Sequence, residues 1–500
     1  MGEIMADKTS LANNVTNLSN VLRDAGVSYG DYLEQITYLI FLKMAHEYSK
    51  PPFNRDLGLP ADCSWDKLEG LSGEPLEEKY VEILKTLGSK TGIIGEIFKG
   101  SQNKIDSPAL LARTIKMIGA ENWSSLSADV KGDIYEDLLK RYSEDIKSGA
   151  GQYFTPRPLI NTMVKCVKPE PGKTIVDPAC GTGGFLLSAH SYISDPTRNS
   201  LNVEQKKFLK EKTFYGWEIV RSTYRLCLMN LFLHNIGDIY SDIVPITRID
   251  ALLQKPSMSF DYCLANPPFG TKSSIKITND DEEESTEEMT YNRQDFWVTT
   301  SNKQLNFVQH IRSMLKTTGK AAVVVPDNVL FEDGAGETVR KKLLQMTDLH
   351  TILRLPTGIF YKQGVKANVI FFDNKPASDK PHTKEVWVYD FRTNIHFTLK
   401  KNPLKESDLD DFVACYNPDN RFDRTETYNK ETNPNGRWRK FTYDEIMARD
   451  KTSLDISWIK SEDNDKDLTL NELLDKIKEK SKNISLAVEE LEKIIGDIEE

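Results

Sequence analysis

The sequence predicts an α/β protein built on a doubly wound, mostly parallel sheet. An all-helical N-terminal domain precedes the sheet and a C-terminal coiled-coil helix follows it. Three observations carry this reading. From about 170 to 390, short apolar runs alternate with helical stretches, as in a sheet covered on both faces. Residues 1–148 show no strand-like alternation, and DYLEQITYLIFLKMAHEY (31–48) spaces its apolar residues at helical intervals. Beyond Leu468, apolar positions recur in steps of +4 and +3, the spacing of a coiled-coil seam.

In chain order, NNVTNLSNVLRDAG (13–26) and GDIYEDLLKRYSE (132–144) read as further helices of the first domain. Gly88-Ser89-Lys90-Thr91 resembles the end of a phosphate loop. It lacks the glycine directly before the lysine and reads as chance. The pattern changes at Gly149. Candidate strands are KTIVD (173–177), FYGWEI (214–219), FDYCLAN (260–266), AAVVVPD (321–327), LHTILRL (349–355) and ANVIFFD (367–373). Between them lie GGFLLSAHSYI, RSTYRLCLMNLFLHNI and LNFVQHIRSML, each long enough to cross over a sheet. Residues 271–303 are polar, acidic and aperiodic, an insert expected to be disordered or a mobile cover. Residues 401–465 read as a mixed connecting region. Within 466–500, Leu470, Leu474, Ile477, Ser481, Ile484, Val488, Leu491, Ile495 and Ile498 form the seam, either facing a partner helix or packing at home.

Totals narrow the class. At 500 residues the chain exceeds one ordinary core, and two to four domains are expected. No apolar run approaches the roughly 20 residues of a membrane span. The opening MGEIMADKTS lacks the basic and apolar regions of a signal peptide. The six cysteines are scattered without a C-x-x-C pair, which argues against a zinc site and for reduced thiols in a cytoplasm. Net charge is −10, with −5 in residues 271–290 and −7 in 461–500, so the other 440 residues sum to +2. A protein gripping nucleic acid unaided carries a clear basic surplus. Any grip on DNA here is expected to depend on a partner.

The chemistry-bearing residues cluster at strand ends, where open α/β sheets bind ligands. Asp177-Pro-Ala-Cys-Gly-Thr-Gly-Gly184 leaves a strand and opens a helix. Gly181, Thr182 and Gly183 let backbone approach a ligand, or else serve tight strand–helix packing. Asp177 beside them suits a positive group and repels a pyrophosphate. Glu218 can accept the two hydroxyls of a ribose, and Asp250 an adenine amino group. Either acid alone is more often a solvated strand end. Three acids at successive strand ends outline a nucleoside with an amino-acid tail, S-adenosylmethionine. Upstream, Tyr153 and Thr155 lie in a proline-fixed turn, either an interdomain turn or a support for the methionine end.

LANPPFG (264–270) poses the sharpest question, because two prolines cannot donate to a strand ladder. A plain stop is one answer. The other is that the turn fixes Asn266 and the Pro267 carbonyl as two acceptors for an exocyclic amine. Phe269 then offers a face on which an extruded base stacks.

The order of Tyr153-Phe154-Thr155-Pro156, DPACGTGGF and NPPFG resembles the amino-group DNA methyltransferases that place the cofactor motif before the catalytic one. NPPF is their adenine-N6 form; cytosine-N4 enzymes more often carry Ser in place of Asn266. Together with the helical leader, GQYFTPRPLI, VVVPDNVLF, LRLPTGIFYKQGVKANVIFFD and the coiled tail, the chain resembles the modification (M) subunit of Type I restriction–modification systems. The resemblance covers most of residues 1–400. It implies a seven-stranded methyltransferase sheet within 149–400, S-adenosyl-L-methionine as cofactor and a flipped adenine in double-stranded DNA as substrate. It implies a catalytic set of Asn266, Pro267 and Phe269. The cofactor set is Tyr153, Thr155, Asp177, Gly181, Thr182, Gly183, Glu218, Asp250 and Asn266. It further implies that two M subunits join one specificity (S) subunit, to which a restriction (R) subunit can add. Rival readings are an RNA or protein N-methyltransferase, a single-chain restriction–methylation enzyme, and a catalytically silent scaffold organising a DNA-binding complex.

Overall fold

The computed structural model describes residues 29–54, 57–123, 155–238, 241–270, 274–278, 284–288, 290–360, 365–399, 401–461 and Ser481. The expected helices at 13–26 and 132–144, Tyr153, and the tail seam apart from Ser481 lie outside the described residues.

The strands are β1 (Ile175–Asp177), β2 (Phe214–Trp217), β3 (Ile246–Thr247), β4 (Phe260–Ala265), β5 (Ser274–Thr278), β6 (Glu284–Glu288), β7 (Leu315–Pro326), β8 (Thr347–Arg354), β9 (Ala367–Asn374), β10 (Glu385–Asp390) and β11 (Trp438–Thr442). Nine of them form one sheet in the order β11-β10-β8-β9-β7-β4-β1-β2-β3. All six sequence-predicted strands are present. The sheet is nevertheless nine-stranded and mixed, which corrects the expectation of seven mostly parallel strands. β9 runs antiparallel to both β7 and β8, and β11 antiparallel to β10. The connection from β8 to β9 carries no helix among its described residues, so the chain turns back rather than crossing over. The region read as a mixed connection supplies β11 to this same sheet. β5 and β6 pair as an antiparallel ribbon within the acidic insert, where no regular structure was expected.

Both faces are covered, and strand residues alternate between two cores. In β4, Tyr262 and Leu264 join one apolar cluster while Cys263 and Ala265 join the other. In β9, Val369 and Phe371 face the first, and Ile370 and Phe372 the second. The first core takes in the helices Arg157–Val167, Gly184–Ser194 and Arg221–Leu233. The second is closed by Lys303–Met314 and Ala335–Met346.

Between residues 29 and 123 the described elements are helical: Tyr29–Tyr48, Glu74–Gly88, Gly92–Phe98 and Pro108–Gly119, with two short 3-10 turns. Ser89–Thr91 thus joins two helices instead of a strand and a helix, so it does not form a phosphate loop. This leader shares the first core with the sheet. Phe41 meets Phe232 at 4.8 Å, and Arg225 donates to Glu34 at 2.6 Å and to the Lys99 carbonyl at 2.9 Å. The leader therefore braces the helix that follows β2.

Candidate active site

β4, β1, β2 and β3 are adjacent, and their carboxyl ends bring the predicted residues to one edge. Asp177 pairs in register with Gly216, and Trp217 with Thr247, so Asp177, Glu218 and the loop after β3 stand in a row. Asp177 is buried, and its Oδ1 accepts the Ala179 N–H at 3.0 Å. Burial, reinforced by the nearby Glu218 charge and opposed by that N–H, raises its pKa to about 8. Among the described residues no cation pairs with it.

The glycines after Asp177 divide between the two expected roles. Gly183 has φ +88°, and a Cβ there would sit 3.1 Å from Cys227 Sγ; it serves packing of the turn against the next helix. Gly181 has φ +54° and open space around its missing Cβ, so it leaves room for a ligand. Its N–H donates to Glu218 Oε2 at 3.1 Å. The Thr182 carbonyl is tied to Asn230 Nδ2 at 2.9 Å.

Glu218 lies one residue past β2, and its Oε1 accepts the Val220 N–H at 2.8 Å. Each oxygen keeps a further lone pair for a hydroxyl. Its pKa is raised, burial outweighing the backbone bonds that favour the charged form. Asp250 is already engaged: Leu252 N–H reaches Oδ1 at 2.9 Å and the Tyr291 hydroxyl reaches Oδ2 at 2.7 Å.

On the other side of β1, Asn266 leaves β4 into the double-proline turn. Its Nδ2 donates to Thr155 Oγ1 at 2.8 Å. Its Oδ1 is buried and has no hydrogen-bond partner among the described residues. A buried carbonyl oxygen without a donor is costly and calls for an explanation. Pro267 is buried, and the ring of Phe269 meets Phe360 edge-on at 5.8 Å.

The fold thus gathers Thr155, Asp177, Gly181, Thr182, Gly183, Glu218, Asp250, Asn266, Pro267 and Phe269 along one sheet edge. Three further residues belong there. Ile219 is 61% exposed directly after Glu218, an apolar platform that sequence reading had absorbed into the strand. Phe360 stands against Phe269 from a loop distant in sequence. Tyr291 lies inside the acidic insert, just past its ribbon, and carries no local signal of its bond to Asp250.

Residues 126–467 match the N-6 DNA Methylase family. The chain belongs to this family. It is 37% identical to the Type I restriction enzyme StySJI methylase subunit of Salmonella typhimurium (strain LT2), over 91% of this chain and 89% of that protein. The crystal structure of the Type I restriction enzyme EcoKI M protein superposes with a TM-score of 0.55 at 34% identity, covering 91% of this chain and 90% of that one. A chain from a structure of complex assembly and conformational transition of the type I R-M system gives 0.70 at 25% identity, covering 98% of each. This N-6 DNA methylase is accordingly a DNA methyltransferase and a modification subunit of the Type I kind.

Proposed function

We propose that the protein methylates the N6 amino group of an adenine extruded from double-stranded DNA, with S-adenosyl-L-methionine as donor. The observation that carries this reading is the buried, unpartnered Asn266 Oδ1 beside a strand-end row of carboxylates. The row fits the donor. The unpaired Asp177 carboxyl suits its ammonium, Glu218 its ribose hydroxyls, and the exposed face of Ile219 its adenine ring. Asp250 keeps a lone pair on each oxygen for the adenine amino group, although Tyr291 shares it. Tyr153, upstream in sequence, completes the set.

When bound, S-adenosylmethionine supplies an electrophilic methyl group on a sulfonium. The chain's own residues prepare the nucleophile. Asn266 Oδ1 and the Pro267 carbonyl accept the two hydrogens of the target amine. This draws its nitrogen out of conjugation with the ring and aims its lone pair at the donor. Phe269, backed by Phe360, stacks on the extruded base. No covalent intermediate is required.

As an assembly, two such subunits join one specificity subunit, and a restriction subunit can add to them. The specificity subunit reads the sequence, and the near-neutral body and the tail seam suit that division. Among the described residues no helix is long and apolar enough to cross a membrane. Incubating the chain and its specificity partner with duplex DNA and labelled donor should yield N6-methyladenine. A product carrying label only on cytosine, RNA or protein would remove this reading.

Two outcomes follow for the donor pocket. Glu218→Ala should weaken S-adenosylmethionine binding by about 1–3 kcal/mol, the cost of losing hydrogen bonds to a charged acceptor. Calorimetry showing unchanged affinity would take Glu218 out of the pocket. Asp177 adds a pH signature. Its folded pKa lies above its ordinary value of 3.8, so the folded state holds the proton more tightly. Its contribution to stability is therefore fully present below 3.8 and is lost as pH rises through about 8. Asp177→Asn should flatten that slope in thermal melts of the unliganded chain. An ammonium binds the ionised form, so donor affinity should fall as pH drops below about 8.

A further inference from the structure

We propose that Thr155 is a positioning residue for methyl transfer: its hydroxyl anchors the Asn266 amide so that Oδ1 faces the target amine. This deepens the proposed function and rests on it. The sequence had assigned Thr155 to the methionine end of the donor. The geometry gives it a different partner.

Thr155 is buried and precedes the helix Arg157–Val167, so the rigid start of that helix fixes its backbone. Asn266 comes from the opposite direction, off β4, and its Nδ2 reaches Thr155 Oγ1 at 2.8 Å. An amide side chain rotates about a broad, roughly two-fold terminal torsion. Its two ends are nearly equal in size and opposite in polarity. Only the oxygen end can accept from an amine; the nitrogen end would set donor against donor. A hydroxyl can accept from the nitrogen end of an amide or donate to its oxygen end. Here Thr155 Oγ1 accepts from Nδ2, which holds the amide plane and leaves Oδ1 buried, without a partner among the described residues and turned away from Thr155. The double proline sets the Asn266 backbone, but it does not set this last torsion. Two elements far apart in sequence are therefore needed to orient one oxygen.

The test uses the full chain with its specificity partner. Thr155→Val keeps the shape and removes the lone pairs that accept from Nδ2. It should lower kcat for adenine methylation by roughly 10–100-fold, less than the loss from deleting a preorganised polar group outright. S-adenosylmethionine affinity should stay close to that of the parent. Thr155→Ser restores the hydroxyl and should restore most of kcat. Melting temperatures of the variants check that they fold; if valine does not fold, Thr155→Ala, which also lacks the hydroxyl, carries the test and should show the same loss of kcat. Full kcat in Thr155→Val would overturn the proposal. So would a loss of donor affinity that tracks the loss of turnover, which would return Thr155 to the methionine end. Failure of serine to rescue would likewise assign the effect to the methyl group instead of the hydroxyl. Asn266→Ala serves as the control: an active Asn266→Ala overturns the base-site reading itself, whereas an inactive one beside a fully active Thr155→Val overturns only the anchor.

Discussion

Asn266→Ala is expected to lower methyl transfer by at least about 10²–10³-fold, the usual cost of removing one preorganised polar group at a reacting centre. Alanine deletes a buried oxygen that has no hydrogen-bond partner among the described residues, so folding loses little and the target amine loses an acceptor. The backbone of β4 and the double-proline turn are untouched, and donor affinity should change little. Phe269→Ala acts on the same half-reaction through the base. It removes a stacking face worth about 1–3 kcal/mol per base. Both variants should still bind S-adenosylmethionine in calorimetry while failing to produce N6-methyladenine. Near-normal turnover by Asn266→Ala on adenine-containing DNA would rule out the acceptor mechanism.

Deleting residues 466–500 should abolish stable association with the specificity subunit, and sequence-specific methylation with it. The deletion removes eight apolar seam positions, each worth roughly 1.5–3 kcal/mol when buried against a partner helix. Ser481, the polar ninth, would set register and not add affinity. The body should remain folded. Its last anchors, Leu454, Ile456 and Ile459, are buried upstream of the cut, and Trp458 Nε1 donates to the Gly436 carbonyl at 2.8 Å. The truncated chain should accordingly keep its melting temperature and donor affinity. Recovery of a full-strength, active complex on co-purification would show that the tail packs at home.

Much of this protein was written in short-range pattern. Strand–helix alternation revealed all six predicted strands, because period-2 apolar runs and 3.6-period helices are local signals. The acids at strand ends and the NPPFG turn were legible for the same reason. Their chemistry sits in a few adjacent residues, and the α/β layout fixes which end of a strand holds a ligand. Pairing direction was not legible. The apolar run ANVIFFD reads alike in either orientation, and only the tertiary structure placed it antiparallel between β7 and β8. β3, β10 and β11 escaped notice as well: β3 is short and β11 half-exposed, held in the sheet more by pairing partners than by composition, whereas the buried run of β10 was passed over. The same limit applies to contacts across the site. Nothing near Thr155 announces Asn266, 111 positions away, nor does anything near Asp250 announce Tyr291 within the acidic insert. The sequence determined the candidate residues and the strand ends at which they stand. The tertiary structure decided how each is oriented and what it touches, because those contacts join elements whose separation along the chain leaves no local trace.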